Sequence, residues 1–170
     1  MARVTRLLAF SWGLGGVLFI LGRALYGISS YVAGALSEMP WTGLQWAFAV
    51  VCLIFMAYTE GYRGFQTRFA PRVVARAWHL ATNPRPMHLL LAPFFCIGFF
   101  HGNKRRLITS WAITLGVAVI VFGMQFVPQP WRGIVDLGVV VGLSWGVLAI
   151  LGHFIHSLRN GGTDVDPQLP

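Results

Sequence analysis

The sequence predicts an all-α integral membrane protein with four transmembrane helices arranged as two hairpins. Three observations carry that expectation: 56% of the 170 residues are hydrophobic, only 11% are charged, and the apolar residues fall in four long runs. Ordinary soluble domains carry about 25% charged residues, and a helix needs about 20 mostly apolar residues to cross a bilayer core about 30 Å thick. The expected spans are about 7–26, 41–59, 107–127 and 133–153, all within a single membrane domain.

The first run, opening after Arg3 and Arg6, is apolar from Leu7 to Leu21. It imitates a secretory signal, yet Arg23 follows where a small-residue cleavage site would stand, and Ala33-Gly34-Ala35 lies too far downstream. It is therefore expected to be retained as the first span. The second run begins at Pro40-Trp41-Thr42-Gly43-Leu44, a pattern that returns before the last run as Pro130-Trp131-Arg132-Gly133-Ile134. The paired starts Arg6-Leu7-Leu8 and Arg106-Leu107-Ile108 strengthen the suggestion of two parallel hairpins related by duplication. Tryptophan enrichment at membrane interfaces would produce similar turns without common descent.

Residues 60–88 are polar and are expected to form a cytoplasmic connector. Within them, 71–81 has helical spacing, with Val73, Val74, Ala77, Trp78 and Ala81 on one face and Arg72, Arg76 and His79 on the other. An in-plane amphipathic helix follows, started by Pro71, stopped by Asn83-Pro84, and set with Trp78 at headgroup depth. Its Arg72, Arg76 and His79 are expected to meet anionic lipids of the cytoplasmic leaflet or a partner. Segment 89–101 is short, broken by Pro93 and bracketed by His88 and His101. A full crossing would place Lys104-Arg105-Arg106 opposite the other basic residues, so a re-entrant or half-buried segment is expected. All basic residues except Arg23 and Arg132 then gather on one side. That places both termini in the cytoplasm, in a bacterial inner membrane, with a short disordered tail over 159–170.

Few residues carry chemistry. Arg23 and Asp136, counted from the inner and outer ends of their expected spans, share a depth and are expected to form an intramembrane ion pair. Glu60, Arg63, His88, His101, His153 and His156 fall at the inner interface as candidates for a cytoplasmic vestibule, with Glu60 in reach of Arg63 or Arg68 across a glycine-rich corner. Gly138, Gly142 and Gly146 repeat every four residues, a stripe on which another helix approaches closely; Ser11, Gly13, Gly15 and Gly16 of the first span are its expected partners. Cys52 and Cys96 sit in apolar runs as small buried hydrophobes. No catalytic set, metal motif or cofactor signature is present, and the net charge of +8 serves orientation rather than nucleic-acid binding. The expected role is a non-catalytic accessory, assembly or scaffold subunit of a membrane complex, working with a membrane-protein partner or as a homo-oligomer. A small ion or solute carrier is the alternative, and a haem- or metal-binding membrane protein a weaker one resting on the histidines.

Overall fold

A computed structural model describes residues 2–169, with side chains from Arg6 onward; the Arg3 side chain and Pro170 lie outside the described residues. The described secondary structure is entirely helical: α1 (Ala2–Ser37), α2 (Gly43–Met56), a π-helical segment (Ala57–Phe69), α3 (Ala70–Thr82), α4 (Pro86–Leu90), α5 (Ala92–Ile97), α6 (Lys104–Met124) and α7 (Trp131–Arg159). Four stretches are long and apolar enough to cross a membrane: Arg6–Ser37, Gly43–Thr82, Lys104–Met124 and Trp131–Arg159.

Local chemistry sets the ends of these elements. Thr42 and Gln45 form a reciprocal capping box, the Thr42 hydroxyl accepting from Gln45 N at 3.3 Å and the Gln45 side chain from Thr42 N at 2.8 Å. The preceding turn is held by Trp41, whose buried indole donates to Ala35 O at 2.8 Å. Gly98 ends α5 at φ +97°, a conformation that favours glycine, and Asn103 caps α6 by accepting from Arg106 N at 2.9 Å.

The two expected hairpins are not how the helices pack. α7 is the central element, flanked by α1 on one side and by α2 with the π-helical segment on the other, while α3 wedges between α1 and α7 and α5 lies against α1 and α3. Neither α1 with α2 nor α6 with α7 shares an extended face. Glycine placement explains the choice. A Cβ at Gly138 would lie 2.9 Å from Cys52 Sγ, one at Gly142 3.1 Å from Glu60 Cβ, and one at Gly146 2.5 Å from Phe65 Cδ1. The stripe is therefore filled by α2 and the π-helical segment instead of by α1, whose Gly13 and Gly16 face Cys96 and Pro93 of α5.

The expected connector over 60–88 is also replaced. Helix continues from Gly43 to Thr82, passing through π geometry in which Ala70 N–H bonds Phe65 O, five residues back. Close approach of the Trp145 side chain to Gly61, about 3 Å from where a Cβ would stand, fits the wider helix against α7. In α3 the apolar Val73, Val74, Ala77 and Leu80 are buried as their spacing implies, and of the three residues expected to meet headgroups Arg76 is fully buried while Arg72 and His79 are partly exposed. Segment 89–101 folds into α4, α5 and the Gly98 turn, covered by α1 and α3 on one side and exposing Leu90, Leu91 and Phe94 on the other. At about 1.5 Å per residue, six-residue α5 rises only about 9 Å. The C-terminal tail, expected to be disordered, returns to the body: Leu169 packs on the main core and Asn103 N donates to Gln168 O at 3.2 Å.

α6 is the exception to all this packing. From Trp111 to Gly123 every residue is exposed. Its foot is held by buried Arg106, which donates to Ile97 O at 2.7 Å, and by Trp111, which donates to Phe99 O at 3.2 Å; past its far end, Gln129 donates to Tyr31 O at 3.1 Å.

Candidate functional site

The polar residues concentrate where α3, α5, the foot of α6 and the tail meet. At the centre is Arg76, with no exposed surface. Its Nε donates to Pro167 O at 2.9 Å, Nη1 to Phe95 O at 2.9 Å and Phe100 O at 3.4 Å, and Nη2 to Gln168 O at 3.0 Å. The guanidinium also lies 5.0 Å from the Phe95 ring centroid. A buried charge needs this degree of satisfaction, because desolvation otherwise costs several kcal/mol, on the order of 3–5. Arg76 is thus a clasp joining α3, α5 and the tail. Arg106 repeats the motif on a smaller scale, buried and donating to Ile97 O at 2.7 Å.

Beside the clasp, the π-helical segment and the foot of α6 border an open cleft of about 920 Å³ lined by Glu60, Arg63, Arg68, Arg72, Arg105 and Arg106, with Ile113 at its apolar edge. Arg72 holds its position through Arg68 O and, at 3.5 Å, the Gln168 side chain. Glu60 shares the cavity with Arg63 and Arg68 but pairs with neither: among the described residues the one ion pair joins Arg132 and Asp136. Five cations and one carboxylate leave this cavity strongly positive.

The histidines divide into two groups. His88 is buried, stacked on Phe95 at 4.5 Å between centroids and 4.6 Å from His101, whose Nε2 accepts from Arg85 at 3.3 Å. Burial, then the neighbouring His101 and Arg85, hold the His88 imidazole below its ordinary 6.5. His79 lies farther out, 6.3 Å from Phe95. Across α7, His153 Nε2 donates to Gln66 O at 3.1 Å. That carbonyl needs an outside donor, because Ala70 N–H is taken by Phe65 O and the next residue, Pro71, has no N–H. His156 accepts from Asn160 at 3.0 Å. Among the described residues, no three His, Cys, Asp or Glu side chains gather in a metal-binding arrangement.

Other sequence expectations are redistributed. Asp136 is buried beside Arg132, one turn away at 3.7 Å, an ion-pair contact longer than a hydrogen bond. Arg23 is exposed and leans on Tyr26, 5.5 Å from its ring. The two do not meet because α1 runs on to Ser37. Arg23 then lies about 21 Å before the C-terminal end of α1, whereas Asp136 is only about 7 Å from the start of α7. Trp78 packs on Phe10, with ring centroids 5.2 Å apart. The clasp of Arg76, the Arg106 contact and the Trp145 bond to the Gln66 side chain at 2.7 Å were not signalled by any motif. Helical spacing put Arg76 on the polar face with Arg72 and His79, and only its flanking Ala75 and Ala77 accord with the enclosure found.

No family model, no curated protein and no solved structure matches this chain.

Proposed function

We propose that this chain is a multi-pass protein of a bacterial inner membrane, with both termini in the cytoplasm, acting as a non-catalytic accessory or assembly subunit that docks a partner membrane protein through α6. The observation that carries this reading is the isolation of α6. A helix of 21 residues with Val119 72% exposed and Gly116 open to its surroundings is anchored at both ends but covered by no other helix of its chain. Small residues at Ala112 and Gly116, four apart, allow a partner helix to approach closely. Orientation rests on the grouping of Arg63, Arg68, Arg72, Arg105 and Arg106 around one cavity, as cytoplasmic loop charge requires. In that frame α4 and α5 form the half-buried cytoplasmic segment, and the clasp holds them to the tail.

The test is site-specific photo-crosslinking in cells. A photoreactive residue at Val119 should yield one defined adduct with another membrane protein, whereas the equally exposed Phe19 of α1 should yield none. Gly116→Leu should abolish the adduct while leaving the fold intact, because a Cβ there meets nothing within its own chain. Lipid adducts alone at both positions would refute the reading, and an adduct with a second copy of this chain would replace the accessory role by self-assembly.

A further inference from the structure

We infer that the cleft between the π-helical segment and the foot of α6 binds the phosphate group of an anionic lipid. The cleft is about 920 Å³ in volume and is lined by Arg63, Arg68, Arg72, Arg105 and Arg106 against the single carboxylate of Glu60. No aspartate or glutamate lies within ion-pairing distance of any of the five among the described residues. Like charges gathered without internal compensation repel, so the arrangement is stabilised by an anion from outside. Guanidinium groups match phosphate oxygens with paired, charge-assisted hydrogen bonds. The start of α6 adds to this: Asn103 caps Arg106 N, leaving the Lys104 and Arg105 N–H groups without intrahelical acceptors at the positive end of the helix.

The surroundings select a lipid over a soluble phosphate. Above its cationic floor the cleft runs past Ile113 onto the bare apolar flank of α6, where Val117 and Ile120 are exposed. A headgroup phosphate seated among the arginines would place its acyl chains along the gap between α6 and the body. This binding rests on the arginines of the cleft and does not depend on the partner proposed for α6.

The experiment measures binding of short-chain phosphatidylglycerol to the full chain purified in an uncharged detergent, beside phosphatidylcholine of the same chain length and inorganic phosphate. Phosphatidylglycerol should bind about tenfold or more tightly than phosphatidylcholine, as charge-assisted hydrogen bonds imply. The double variant R63Q/R105Q should lose that preference with its melting temperature not lowered, since neither side chain makes a hydrogen bond or ion pair within the described residues and the loss of two like charges relieves repulsion. Equal affinity for the two lipids, or undiminished preference in the variant, would overturn the inference. Inorganic phosphate binding as tightly as phosphatidylglycerol would assign the cleft to a soluble anion and likewise overturn it. Should the variant fail to fold, a photoreactive phosphatidylglycerol on the unaltered chain decides: labelling within 59–72 and 103–113 supports the site, and labelling elsewhere removes it.

Discussion

Arg76 shows how much one side chain can organise. Its three nitrogens serve carbonyls from α5, the turn after it and the tail, so removing it orphans several buried acceptors at once. Arg76→Ala is expected to cost about 3 kcal/mol or more. Thermal melting in detergent should report the loss, and limited proteolysis should find the tail released; a tail that stays protected would contradict the clasp. Arg76→Lys should recover only part of the stability, because an ammonium cannot span the same acceptors. A second residue-scale prediction concerns pH. His88 is held below its ordinary 6.5 when folded, so below about pH 6.5 the unfolded chain binds the extra proton and stability falls as pH drops. Melting temperature should decline between about pH 7 and about pH 5. His88→Phe, able to keep the stack on Phe95, should flatten that decline. Sequence reading found His88 and Arg76 as polar residues beside apolar ones, yet helical spacing cannot say which face meets chain and which meets solvent.

At the scale of elements, the glycine stripe of α7 was legible and its occupant was not. Four-residue spacing reveals a flat surface, but several helices offer small residues or flexible side chains to fill it. Cys52, Met56, Glu60 and Phe65 win because α2 continues into the π-helical segment and keeps one rod against α7. Gly146→Leu should destabilise the protein by about 1–3 kcal/mol through overpacking against Phe65. Gly152→Leu, where a Cβ meets nothing within 4 Å, serves as the control and should melt like the parent. Equal melting of both variants would show that the stripe does not need its glycines. The π-helical segment itself was hidden: Glu60-Gly61-Tyr62-Arg63-Gly64 suggests a corner by composition, and only contact with Trp145 and His153 shows a widened helix continuing through it.

Across the whole molecule, composition and run length determined an all-helical chain with four helices long and apolar enough to span a membrane, and charge placement drew attention to the base where the polar site assembles. These properties follow from residue type and order alone, because hydropathy sums along the chain. Partners across space do not. Tertiary structure decided that α7 is central, that α1 extends far enough to separate Arg23 from Asp136, that the tail closes over Arg76, and that α6 stands alone. Each of these depends on which of several compatible surfaces are brought together at the right depth. That choice is made by steric fit at glycines and by the need to satisfy buried carbonyls and charges.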